Sequence, residues 1–135
     1  MLNSTNNSIK GELAIQTLAM PTNTNANGDI FGGWLVSQMD LAAGIVAKQH
    51  SKGRVVTVAI EKMAFNEPVH IGDLVSCYGE LVSTGNTSMV IDVETWCTHP
   101  DTHQERKVTS GSFTFVAIDE HGKKRSLPIK NQVSD

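Results

Sequence analysis

Only one stretch of this chain reads as a long helix, and it is apolar on almost every side. From Gly33 to Gln49 the residues Trp34, Leu35, Val36, Met39, Leu41, Ala42, Ala43, Ile45, Val46 and Ala47 leave no continuous polar face. A helix of that kind is buried rather than laid on a surface. Lys48, Gln49 and His50, then Ser51-Lys52-Gly53, end it with basic residues and a glycine. A lone apolar helix needs a sheet to cover it, so the rest of the chain must supply one.

Strands are legible on both sides of the helix. Residues 11–20 (GELAIQTLAM) set Leu13, Ile15 and Thr17 against Glu12, Ala14 and Gln16, the alternation of a strand. Four more strand-like runs follow: Arg54 to Phe65, Leu74 to Val82, Thr87 to Cys97 and Arg106 to Ile118. Short turns separate them, which favours antiparallel pairing. The expected class is α+β, an antiparallel five-stranded sheet wrapped around one long central helix. At 135 residues the chain is one domain. That domain is expected over residues 11–128, with tails at 1–10 and 129–135. Arg54 to Phe65 is apolar in both sets of alternate positions, Val56, Val58 and Ile60 in one, Val55, Ala59, Met63 and Phe65 in the other. A strand with two apolar faces in so small a domain implies a subunit interface. A homodimer at least is expected.

A net charge of −3 gives no basic footprint for nucleic acid. No apolar run approaches the roughly 20 residues that span a bilayer, and residues 1–10 lack the apolar core of a signal peptide. No membrane partner and a cytoplasmic location are expected. Cys77 and Cys97 fall in separate strand-like runs without metal-type spacing and read as packed, reduced thiols. His50, His70, His99, His103 and His121 are scattered near turns, so no metal site is expected. No Gly-x-Ser-x-Gly elbow, P-loop or dinucleotide fingerprint occurs, and no cofactor is expected.

The chemistry concentrates in Asn25 to Asp40, a glycine-punctuated polar loop that becomes the apolar helix. Gly32-Gly33 stands at the junction, where first-turn amides lack intrahelical partners and favour negative charge. Such amides can serve as an oxyanion hole. Asp40 interrupts the apolar helix, and its neighbours at three and four residues, Val36, Ser37, Ala43 and Gly44, include no base to pair it. A carboxylate so placed can act as a general base. Gly33 and Asp40 are separated by about 10 Å along one helix axis, too far to serve one carbonyl. A composite site, with Asp40 of one subunit opposite the helix start of another, fits better. Asn25 is either a turn residue or a group that orients water or substrate, and Asp29 reads as a helix cap. The basic run Lys123-Lys124-Arg125 is a solvated end or a phosphate contact.

These residues also resemble a known family. Thr17-Leu18-Ala19-Met20-Pro21, the run Asn25 to Trp34, Ser37-Gln38-Met39-Asp40, Arg54-Val55-Val56-Thr57-Val58-Ala59 and Pro68-Val69-x-Ile71-Gly72-Asp73 are similar to the hotdog-fold acyl-CoA thioesterases of the bacterial YciA type. The resemblance spans roughly residues 13–128. It implies the hotdog fold, dimers that assemble as trimers of dimers into hexamers, and hydrolysis of acyl-CoA to CoA and a free acid. It implies that Asp40 activates water or attacks the thioester, that Asn25 assists across the dimer interface, and that the Gly32 and Gly33 amides polarise the carbonyl. Many relatives have a histidine where this chain has Phe31, and the YciA-type pattern shares the phenylalanine. Phe31, Thr57, Lys124 and Arg125 are candidate contacts to the substrate, whose CoA portion is not a resident cofactor. Two rival readings are an enoyl-thioester hydratase, disfavoured because no histidine precedes residue 50, and a non-catalytic acyl-CoA binding protein.

Overall fold

A computed structural model describes residues 9–128, and in it the one long helix and the five strands are all present. The elements are β1 (Glu12–Leu18), α1 (Gly32–Ser51), β2 (Val55–Phe65), β3 (Leu74–Thr84), β4 (Ser88–Thr98) and β5 (Glu105–Ala117). The strands form one sheet in the order β1-β3-β4-β5-β2, each pair antiparallel. The expected tails lie outside the described residues except for Ile9 and Lys10.

Helix α1 lies on one face of the sheet. It buries Met39, Ala42, Ala43 and Ala47 against Cys77, Met89, Ile91, Val93, Phe113 and Phe115. Gly79 permits the close approach, because a Cβ there would stand 2.8 Å from Val46 Cγ2. A second cluster of Ala19, Ile30, Leu35, Val69, Val75, Cys97 and Val108 fixes the N-terminal end of the helix. The expectation of a helix buried all round is met on one side only. Leu41 and Ile45 are exposed on the other, so a single copy leaves part of the apolar surface of α1 uncovered.

Strict alternation fails in both edge strands. A bulge between Leu13 and Ile15 puts Leu13 opposite Tyr78 while Ile15 stays opposite Cys77 in the core. In β2 the register shifts between Thr57 and Ala59 and again between Glu61 and Ala64. Directly paired residues share a face, and Thr57, Ile60 and Phe65 pair with Phe115, Phe113 and Thr109. These three therefore face the helix, whereas Val56, Ala59 and Glu61 face away. The expected grouping of Val56, Val58 and Ile60 on one face is corrected by the extra residues that the bulges insert. The apolar exposure that implied an interface persists, since Val56, Val58 and Ile60 are all exposed at this edge of the sheet.

Candidate active site

The loop before α1 is closed by its own polar groups. Asn25 Oδ1 accepts hydrogen bonds from the amides of Asn27 (2.8 Å) and Asp29 (3.1 Å). The Asn25 amide donates to the Asp29 carbonyl at 2.7 Å. Gly28 turns the chain at φ +86°, a conformation natural to glycine. With its oxygen committed, Asn25 offers only its side-chain N–H donors to a ligand.

The loop leads into an uncapped helix start. Phe31 is the N-cap residue and makes no side-chain capping bond. Asp29, expected as the cap, instead places Oδ1 3.5 Å from His70 Nδ1. The Trp34 and Leu35 amides bond back to the Phe31 carbonyl. Among the described residues the Gly32 and Gly33 amides donate to nothing, as first-turn amides do. The Phe31 side chain is half exposed beside them.

Asp40 has a partner that helical spacing could not show. The Thr57 hydroxyl on β2 donates to Asp40 Oδ1 at 2.8 Å. The bond fixes one carboxylate oxygen and leaves the other free of protein partners among the described residues. Thr57, expected as a substrate contact, is thus placed to hold the candidate base. The exposed side chains of Leu41 and Ile45 follow it along α1.

A cleft of about 340 Å³ opens at the helix start, lined by Asp29, Ile30, Gly32, Leu35 and the segment Phe65 to Val69. Asp40 does not line it. The far wall is held by an ion-pair network. Asp73 is 1% exposed; its Oδ2 accepts from Arg106 Nη2 at 2.9 Å and from the His70 amide at 3.0 Å. Arg106 also donates to the Pro68 carbonyl at 3.1 Å and pairs with Glu67 at 3.2 Å. The sequence pattern marked Ile71-Gly72-Asp73 as a turn without showing this partner.

Arg125, a candidate phosphate contact, has its guanidinium committed elsewhere. It donates to the Ser51 carbonyl (3.0 Å) and hydroxyl (3.3 Å), the Arg54 carbonyl (3.2 Å) and the Ile118 carbonyl (2.9 Å). It packs where a Gly53 Cβ would sit, 2.5 Å from Nη2. Its role here is to tie the end of α1 to the start of β2, while Lys124 is exposed. Arg125→Ala should cost about 2 kcal/mol through the acceptors left unpaired, read by chemical denaturation. Arg125→Lys should recover only part, because one ammonium cannot span all three segments.

The thiols are not nucleophiles in this environment. Burial, with the nearby Asp73 carboxylate, pushes Cys97 up to about 12. Burial also raises Cys77, against the weaker effect of its Thr95 hydrogen bond. Among the described residues no group of three or more His, Cys, Asp or Glu side chains is placed to hold a metal ion. No described helix is long and apolar enough to cross a membrane.

Comparison with known proteins now bears on this geometry. Residues 27–102, more than half of the chain, match the family described as the thioesterase superfamily. The chain belongs to the thioesterase superfamily. The matched segment contains the helix start, Asp40 and Thr57, and Asn25 lies just before it. The acyl-CoA thioester hydrolase YciA of Escherichia coli is 48% identical over 132 residues, which cover 96% of this chain and 100% of that protein. A hexameric broad-specificity acyl-coenzyme A thioesterase, solved as an aspartate-to-alanine mutant, superposes with a TM-score of 0.88 at 48% identity, over 90% of each chain. A hexameric hotdog-fold thioesterase of Campylobacter jejuni superposes at 0.84 with 43% identity, covering 87% of this chain and 91% of that one. The sheet wrapped on one helix is therefore the hotdog fold of this superfamily.

Proposed function

We propose that this protein hydrolyses acyl-CoA thioesters to CoA and a free carboxylic acid. The observation that carries the reading is the pairing, on one helix, of Gly32 and Gly33 amides that have no partner among the described residues with a Thr57-oriented carboxylate at Asp40. The amides receive the carbonyl oxygen and stabilise the negative charge that develops on it. Asp40 takes a proton from water as the water oxygen bonds to the carbonyl carbon, or attacks that carbon itself. The C–S bond then breaks, and the thiolate leaves and takes up a proton; where Asp40 has attacked, water next hydrolyses the acyl–Asp40 anhydride, releasing the free acid and restoring the carboxylate. The side-chain N–H groups of Asn25 donate to the water or the substrate carbonyl. Phe31 and Lys124 are exposed at positions open to substrate, and no cofactor is invoked.

The two halves of the machinery lie about 10 Å apart along α1. The site is therefore composite, with each copy giving its amide end to one centre and its Asp40 to another. The free edge of β2 and the uncovered Leu41 and Ile45 supply the surface that joins copies. A dimer follows, and the hexamers named for the relatives favour assembly of three dimers. Two buried unpaired thiols and bacterial relatives favour a cytoplasmic setting.

The test is release of free thiol from a series of acyl-CoA substrates by the purified protein. Turnover is expected. Binding without thiol release would support a non-catalytic binder instead. Mixing separately inactive Asn25→Ala and Asp40→Asn copies should restore activity, because one centre in each mixed dimer is then intact.

A further inference from the structure

The cleft at the start of α1 has an uneven lining. Ile30, Leu35 and Val69 form its apolar floor and are core residues, 1–5% exposed. Phe65 is different: it faces the helix from the end of β2 and remains 53% exposed. Its ring carbon lies 3.4 Å from where a Gly32 Cβ would be. Nothing intervenes between this ring and the backbone whose amide is free. Asp29 and Glu67 stand at the rim, Asp29 facing His70 and Glu67 sharing Arg106 with Asp73.

We propose that this cleft takes the acyl chain of the thioester and that Phe65 sets the length of chain it accepts. The inference rests on the acyl-CoA hydrolase reading. A carbonyl oxygen seated on the Gly32 amide has two other substituents to place, the acyl chain and the sulfur of CoA. CoA carries phosphates, and among the described residues the lining of this cleft holds no Lys or Arg to receive them, Arg106 behind it being engaged by Asp73 and Glu67. An uncharged hydrocarbon chain gains by covering the apolar floor. The volume of about 340 Å³ is near the lower end of the range for small-molecule sites, roughly 300–1,000 Å³. The floor cannot be reshaped without disturbing the second core cluster. Phe65, its ring beside Gly32, is the large side chain of the lining that is not committed to the core, so its size sets how much room the cleft leaves for a chain.

The experiment is kcat/KM for straight-chain acyl-CoA substrates from acetyl to dodecanoyl, measured on wild type, Phe65→Ala and Phe65→Leu. Phe65→Ala should move the optimum to longer chains. Preference for long over short chains should rise by about fourfold for each methylene newly buried, and Phe65→Leu should shift in the same direction by less. If both variants lose activity equally at every chain length, Phe65 is structural and the proposal fails. If both change the affinity for CoA itself with the chain-length profile unmoved, the cleft holds the CoA arm and the proposal fails. A wild type inactive on every substrate would overturn the hydrolase reading and this inference with it. An active wild type with an unchanged profile in Phe65→Ala would overturn this inference alone.

Discussion

Replacing Asp40 by asparagine is expected to slow acyl-CoA hydrolysis by roughly 100- to 10,000-fold, the usual contribution of a positioned general base, with little change in stability. The reasoning is local. Asparagine keeps an oxygen that can accept the Thr57 hydrogen bond, now 2.8 Å long, and it has nearly the volume of aspartate. What it lacks is the ability to take a proton or to attack. Thiol release read alongside thermal unfolding separates the two effects. Asp40→Asn with wild-type turnover would remove Asp40 from the mechanism. Thr57→Val should fall between the two enzymes, losing about tenfold, because a hydrogen bond to a charged group contributes about 1.5–3 kcal/mol and here acts only through the orientation of the base.

The second large effect is expected at Arg106. Arg106→Ala leaves the Asp73 carboxylate with the His70 amide as its one remaining partner among the described residues, in a position 1% exposed. Removing one member of a buried pair costs about 3–5 kcal/mol, because the other charge remains desolvated. At roughly 3–5 °C per kcal/mol for a domain of this size, Tm should fall by about 10–20 °C. It should be measured at fixed protein concentration, since assembly contributes to the apparent value. Joint replacement, Arg106→Met with Asp73→Leu, should recover much of the loss, because no uncompensated charge remains. Arg106 also holds the Pro68 carbonyl and Glu67, so Arg106→Ala should raise KM for acyl-CoA as the cleft wall loosens.

Much of this molecule was legible in its sequence, and the exceptions have physical reasons. The helix and five strands follow from apolar periodicity, which acts within a few residues. In β4, Met89, Ile91, Val93 and Thr95 alternate without interruption and are all buried, as their spacing required. In β2 the same spacing misassigned Ile60, because a bulge adds a residue without any compositional mark. Asp40 stood out for lacking a local partner, but the partner, Thr57, comes from another element 17 residues away. Asp73 and Arg106, 33 residues apart, meet only once β3, β4 and β5 have paired. Arg125 in a basic tail read as part of a solvated end or as a phosphate contact, because nothing in its neighbours shows that Ser51 and Arg54 come to lie beneath it. Asp29 had the chemistry of a cap, yet two further residues separate it from the first helical turn.

The edges of the sheet have a consequence for growth. Each copy carries two of them, β1 and β2, and a molecule with two open edges has the means to add copies end to end without limit. Edge strands that are long and flat do this and form fibres. Neither edge here is regular: β1 is interrupted between Leu13 and Ile15, and β2 twice, with two residues more than the stretch of β5 that it pairs with between Thr57 and Phe65. Bulges bend and twist the strand that holds them, so β1 and β2 do not present matching straight templates to one another. An edge that meets its own symmetry mate closes the assembly after a single step. The irregularities that obscured the strand in the sequence thus work against open-ended pairing of these edges.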